Sequence, residues 1–414
     1  MTLPRPRLLL DTLYRDTIAA LEPERAVHQA LDATHTRLSA TTPVHLIGLG
    51  KAAAAMCQAA VSWHVEHGFP IASGLCVTHV MPYRTFGPVA VVVGDHPTPG
   101  TRSVAAAAML NAYIIARISH GDRVLVLLSG GTSALIGAPR GDMSLAEYAA
   151  TTDALLGSGL SINQINRQRR HLSRWGGGRL GAALLARGAS VEVLVISDVL
   201  GDDLASIGSG PCIPDHVDVA TMIAHRVISD NRAARAAVAA QARARGLAAT
   251  LIDEPLHGDV TLCAERIVLA LLTHASHARS SRISRTPMLI GWGGEPTVAL
   301  IGSDAPPGGR MQALALHIAH RLHEAGDDAC GITVLAAGTD GRDGTTDAAG
   351  AIVDGQTWSG LRAISRNPER DLAAFRSHDA LAALNVLIPS FASGTNVNDL
   401  VLALVQRDEP PPRG

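Results

Sequence analysis

The stretch Thr339-Asp340-Gly341-Arg342-Asp343-Gly344-Thr345-Thr346-Asp347 packs carboxylates, an arginine, hydroxyls and glycines directly behind the apolar run Gly331-Ile332-Thr333-Val334-Leu335. Those residue types suit a metal-phosphate or sugar-acid site. The apolar run predicts a buried strand, which would deliver Asp340, Arg342 and Asp343 to its carboxyl end, where open α/β sheets place ligands. An Asp/Gly/Thr turn that caps its own backbone is the competing account, because Asp-Gly is also an ordinary turn dipeptide. Calcium of the EF-hand type is excluded by spacing: counted from Asp340, ligands would be needed where Arg342 and Gly344 stand, and a glutamate where Ala351 stands.

Other glycine-flanked loops carry similar chemistry. Gly48-Leu49-Gly50-Lys51-Ala52-Ala53 follows an apolar run and has the outline of a dinucleotide fingerprint. Thr78-His79 stand where a nicotinamide site expects a ribose-binding acid. Lys51 at a helix start suits a phosphate or carboxylate ligand, since a cation there faces the positive end of the dipole; a solvated lysine beside a tight turn is the alternative. Ser129-Gly130-Gly131-Thr132-Ser133 offers backbone N–H groups and hydroxyls for an anion nest, or simply tight helix–strand packing. It is neither a Walker A loop nor a nucleophile elbow. Arg167, Arg169, Arg170 and His171 lie on an expected helix ended by Gly176-Gly177-Gly178, as a solvated face or with one member reaching an anionic substrate. Gly293-Gly294-Glu295 and Gly308-Gly309-Arg310 supply a carboxylate and a fork-shaped donor, or close hairpins. Gly394-Thr395-Asn396-Val397-Asn398-Asp399 either binds a ligand or caps a turn.

The elements that must position these loops alternate in βαβα order. Apolar runs at Val44–Ile47, Leu75–Val77, Val89–Val93, Val124–Leu128 and Val191–Ile196 are separated by Ala/Leu/Arg-rich helical stretches. A mostly parallel sheet with helices on both faces follows, its strand ends converging on one polar rim. From about residue 217 to 281 the pattern is helical and poor in strands. Strands are expected again at Met288–Ile290, Thr297–Leu300 and Ile332–Leu335, with a helix from Met311 to Glu324. The Arg279–Arg285 run reads as a connection, which puts domains at 1–284 and 285–405 and a disordered proline-rich tail at 406–414.

Composition narrows the function. A chain of 414 residues exceeds one typical core. With 35 Lys+Arg against 37 Asp+Glu, and 3% aromatic residues, it lacks the basic surplus and stacking platforms of a nucleic-acid binder. Five scattered cysteines show no zinc spacing and no even disulfide set. Neither a signal-peptide pattern nor an apolar run of about 18 residues occurs, so the expectation is a cytoplasmic protein with no membrane partner.

Taken together, the ordered motifs resemble the type II glycerate kinases, the group that contains the MOFRL domain and is often labelled hydroxypyruvate reductase. The resemblance spans nearly the whole chain, through Gly48–Ala53, Gly94-Asp95-His96-Pro97-Thr98-Pro99, Leu128–Leu135, Ser197–Asp203, Ile207–Pro211, Gly293–Glu295, Gly338–Gly341 and Gly394–Leu400. It implies a Rossmann-like amino-terminal domain, a second α/β MOFRL domain and an active-site cleft between them. The activity implied is ATP-dependent phosphorylation of D-glycerate, usually at the 2-hydroxyl, with Mg2+ held by carboxylates.

On that basis Lys51 and Arg342 are assigned to transition-state charge or the substrate carboxylate. Ser129, Gly130, Gly131, Thr132, Ser133, Gly293, Gly294, Glu295 and Arg310 are assigned to phosphate or nucleotide, and Asp95, His96, Arg169 and Asn396 to substrate. Asp198 and Asp340 are the metal candidates. Partners would be a small hydroxy acid and, as an open alternative to the monomer, a second copy in a homodimer. Departures from the family pattern fall at Gly176, where a lysine is common, at Met311 and Ala313 in place of Asn and Glu, and at Phe391-Ala392-Ser393 in place of Gly-Pro-Thr. Arg174 or Arg179 could replace the missing lysine, or the substrate could be another hydroxy acid. A hydroxypyruvate reductase and a binding homologue without catalysis are the rival functions.

Overall fold

The computed structural model describes residues 5–34, 42–156, 162–213, 223–280, 287–298 and 306–406. They form two compact units. A parallel-sheet unit takes the described residues within 22–230 together with 394–396, and a mixed-sheet unit takes those within 1–21, 231–393 and 397–414.

The parallel-sheet unit is built on β1 (Val44–Leu49), β2 (Ile71–Thr78), β3 (Val89–Val93), β4 (Arg123–Ser129), β5 (Ser190–Ile196) and β6 (Ile223–Ser229), in spatial order β3-β2-β1-β4-β5-β6. Every pairing is parallel. β1 and β4 are buried almost throughout, as strands covered on both faces must be, which is why they stand out as continuous aliphatic runs. The chain winds outward from β1 through β2 to β3, then restarts beside β1 at β4. That reversal opens a crevice beyond the carboxyl ends of β1 and β4.

The mixed-sheet unit contains β7 (Ala248–Leu251), β8 (Leu256–Asp259), β9 (Met288–Thr297), β10 (Ile332–Gly338), β11 (Ala348–Asp354), β12 (Leu387–Pro389) and β13 (Asp399–Val405). The order is β12-β11-β10-β13-β9-β7, with β8 also paired to β9. β7 and β8 run parallel to β9, and the other pairings are antiparallel. The helices Val260–Ser280 and Arg310–Glu324 lay Cys263, Ile267, Leu271, Leu314 and Ile318 into one aliphatic core with Trp292 and Trp358.

The expected α/β class with a Rossmann-like sheet is therefore present. The segment expected to be strand-poor is different: it contributes β6, β7 and β8. β6 escapes notice because it is an edge strand of mixed burial whose sequence, Ile223-Ala224-His225-Arg226-Val227, lacks a continuous apolar run. β7 and β8 have only four residues each. By packing, residues 231–280 belong with the mixed sheet, whereas the sequence placed a division near 284. The Arg279–Arg285 connection, the end of the Thr297–Leu300 strand and the 406–414 tail lie wholly or largely outside the described residues. Among the described residues no helix is long and apolar enough to cross a membrane.

Candidate active site

In the parallel-sheet unit the predicted loops meet at the crevice between β1 and β4. The Lys51 N–H donates to the Gly130 carbonyl at 2.9 Å, and the Ala52 N–H to the Ser129 hydroxyl at 3.0 Å. Ser129 thereby tethers the start of the helix Ala53–Glu66, and Thr132 closes its own turn by donating to the Ser129 carbonyl at 2.8 Å. Two glycines make the approach feasible. A Cβ on Gly50, whose φ is 121°, would overlap Ser129, and one on Gly130 would overlap the Asp198 carboxylate. At Gly131, with φ 84°, a Cβ would stand 3.0 Å from Lys51 Cγ and 3.4 Å from His96 Nε2. The Lys51 and His96 side chains thus flank one bare backbone position.

Asn396, returning to this unit from the far end of the chain, donates from Nδ2 toward Asp198 Oδ2 at 3.5 Å. Ser133 shares a 2.7 Å hydrogen bond with Ser209, a residue given no role in advance. His79, whose ring centroid lies 6.4 Å from that of His96, is a second addition. Burial first, then the positive charges of Lys51, His79 and Arg169, push the His96 imidazole down to about 4. A basic neighbourhood in which an imidazole must stay neutral is suited to an anion.

Asp95 is engaged elsewhere. Its carboxylate accepts from the Arg102 side chain at 2.6 Å and from the N–H groups of Arg102 and Ser103 at 2.8 and 3.3 Å, so it starts the helix Thr101–Arg117. Gly176 lies in a tight turn: a Cβ there would stand 3.3 Å from the carbonyls of both Arg170 and Ser209. Arg179, one candidate substitute for the missing lysine, donates to the carbonyls of Arg170, Ser173 and Arg174.

In the mixed-sheet unit the predicted residues form a second constellation. Arg310 donates from Nε to Asp399 Oδ2 at 2.6 Å, from Nη2 to Asp399 Oδ1 at 3.3 Å and from Nη1 to Glu295 Oε1 at 3.0 Å. Expected as a phosphate contact, this guanidinium is held by two carboxylates. Asp399 shares a cross-strand row with Gly338 of β10 and Gly294 of β9. Burial, reinforced by Asp343 and Glu295, outweighs Arg310 and pushes the Asp399 carboxyl up to about 7. An aspartate heading the otherwise apolar β13 was the signal that could have found it, since a buried carboxylate requires a partner.

Gly293 and Gly294 lie within β9 rather than in a loop. A Cβ on Gly293 would overlap Asn231, and one on Gly294 would overlap the Leu256 backbone, so both permit close packing. Asp343 accepts from the N–H groups of Met311 and Gln312 at 3.1 and 2.8 Å and from the Gln312 amide at 3.0 Å. It caps the helix Arg310–Glu324 and settles that residue in favour of structure. Asp340 accepts from the Arg342 N–H at 3.1 Å, and Arg342 is exposed with Nε on the Thr346 carbonyl at 3.2 Å. Among the described residues no group of three or more His, Cys, Asp or Glu side chains is arranged to hold a metal ion. Mg2+ bound with a nucleotide needs only one or two carboxylates.

Comparison with known proteins identifies the family. Residues 9–244 match a family model described as a domain of unknown function, DUF4147, and residues 288–399 match the MOFRL family. The chain is 30% identical to a glycerate 2-kinase of Pyrococcus horikoshii, over 95% of this chain and 96% of that one. It is 32% identical to a D-glycerate 2-kinase of Thermotoga maritima, over 95% and 97%. The crystal structure of a Thermotoga maritima glycerate kinase superposes with a TM-score of 0.80 at 31% identity, covering 96% of this chain and 99% of that one.

Proposed function

The chain belongs to the type II glycerate kinase family, the one with a MOFRL domain, and on that premise we propose that it phosphorylates D-glycerate with ATP, forming 2-phosphoglycerate. The observation that carries this reading is the junction at the sheet reversal, where Lys51 is tied to Gly130 and shares the space over Gly131 with a neutral His96. Phosphoryl transfer asks a protein chiefly for positioned charge. In this reading the Ser129–Ser133 loop and the Lys51 ammonium cradle the transferring phosphoryl group, while His96, Arg169 and Asn396 orient the acid.

On the mixed-sheet unit, Arg342 is proposed for transition-state charge or the substrate carboxylate, and Asp340 as a Mg2+ ligand; on the parallel-sheet unit, Asp198 is the Mg2+ candidate. When bound, that ion supplies charge neutralisation on the phosphates. Arg310 and Glu295 act at one remove, through the network that fixes Asp399. A cytoplasmic location accords with cysteines that form no disulfide among the described residues.

A reductase reading is not favoured, because β2 ends in Thr78 followed by His79 and offers no acid for a nicotinamide ribose. The test is a pair of assays on the purified chain. ADP release that depends on D-glycerate, with the product identified as 2-phosphoglycerate, is expected. Oxidation of NADH or NADPH by hydroxypyruvate at enzymic rates would overturn the assignment, and glycerate binding without ADP release would leave a non-catalytic homologue.

A further inference from the structure

The basic residues around the end of the helix Ile162–Leu172 have unequal surroundings. Arg170 donates to the carbonyls of Ala205 at 3.2 Å and Ile213 at 3.0 Å. Arg179 is engaged with three carbonyls. His171 and Arg174 are exposed, and the Arg174 guanidinium lies 5.6 Å from the Trp175 ring. Arg169 has no such outlet. It is 8% exposed, its Nε has no acceptor, and no carboxylate among the described residues pairs with it.

A guanidinium does not lose its proton in a protein, so this one remains charged, and a buried charge without a counter-charge destabilises the fold that holds it. Nearby carboxylates do not answer the need. Asp95 is bound to Arg102 and the start of the helix Thr101–Arg117, while Asp198 lies against Gly130 and Asn396. Arg169 also lies close enough to His96 for its charge to act there, alongside Lys51 and His79. Four basic side chains share this neighbourhood, and among the described residues no acid pairs with Arg169.

We infer that Arg169 is the carboxylate-recognising residue of the site: its guanidinium takes the carboxylate of a small 2-hydroxy acid beside His96, leaving Lys51 and the Gly130-Gly131 loop to the phosphoryl group. The inference rests on the function proposed above and adds the group that separates hydroxy acids from neutral alcohols of the same size. A planar fork matched to two carboxylate oxygens selects for charge and geometry together.

The test uses the full chain with Arg169→Met and Arg169→Lys, measuring the binding of D-glycerate, glycerol and ATP each alone by calorimetry, and thermal unfolding without ligand. Arg169→Met should weaken D-glycerate by roughly 30-fold or more, the scale of breaking a buried ion pair, with ATP affinity within about threefold of wild type. Arg169→Lys should fall between, keeping charge but losing the fork. Ligand-free Arg169→Met should melt no lower than wild type, because the substitution removes an unpaired buried charge, whereas a purely structural arginine would lower it. Unchanged D-glycerate affinity in Arg169→Met, an equal loss of ATP affinity, or wild-type binding of glycerol as tight as that of D-glycerate would overturn the inference. Arg169-dependent binding of D-glycerate in a protein that releases no ADP would uphold it while refuting the kinase.

Discussion

The Tyr14 hydroxyl donates a 2.5 Å hydrogen bond to the carbonyl of Gly338, the last residue of β10, so the helix Pro6–Ala20 braces the base of the Asp340–Arg342 turn. The Tyr14 ring meets Phe391 edge-on at 6.0 Å, and the Phe391 N–H donates to the Gly341 carbonyl at 3.0 Å. One of the family departures thus closes the other side of the same turn. Tyr14→Phe should cost about 1 kcal/mol, because the Gly338 carbonyl loses its shorter hydrogen bond and keeps the 3.3 Å one from the Gly341 N–H. Denaturant unfolding would show a lowered midpoint at unchanged slope.

Lys51→Ala should lower turnover by about a hundredfold or more, the scale of removing one preorganised stabiliser of transition-state charge. Arg342→Ala should do the same. Arg342 is exposed and among the described residues its side chain holds the Thr346 carbonyl alone, so the unfolding midpoint of that variant should stay near wild type. Wild-type turnover in either variant would remove that residue from the site.

Gly130→Ala should displace the Asp198 carboxylate, which occupies the space a Cβ would need. Overpacking of this kind costs about 1–3 kcal/mol. Adding Asp198→Ala removes the overlap, so the double variant should be more stable than the sum of the two single effects. A double-mutant cycle on unfolding free energies measures that coupling, and strict additivity would show that the two positions do not touch.

His96 gives a pH signature with a definite sign. Burial and the cations around it lower its folded value to about 4, from an ordinary 6.5, so the unfolded chain binds the extra proton first. The contribution of neutral His96 is complete above about pH 6.5 and is lost as pH falls through about 4. The stability of wild type relative to His96→Gln should therefore fall as pH falls between these limits. Parallel curves across that range would show that His96 titrates normally.

Much of the parallel sheet could be read in advance, because β1 to β5 contain apolar runs, and those of β1 and β4 announce burial on both faces. The crevice between β1 and β4 followed from glycines and hydroxyls at two strand ends. The uses of the charged residues did not follow. Asp343, Asp95 and Arg310 have the composition of ligands, and a carboxylate that caps a helix is indistinguishable in one dimension from one that waits for a metal. Arg169 and Arg170 are neighbours of one type, yet Arg170 finds two carbonyls and Arg169 none among the described residues. That difference arises from where the 205 and 213 carbonyls arrive in space, which no local pattern encodes.

β13 is the last described strand in the chain and also an interior one, with β10 on one side and β9 on the other. A ribosome would therefore release the mixed-sheet unit in two unjoined pieces until residues 399–405 emerge. Polypeptides cut short before that point should keep both edges open, which makes the arrival of this strand the step that seals the sheet.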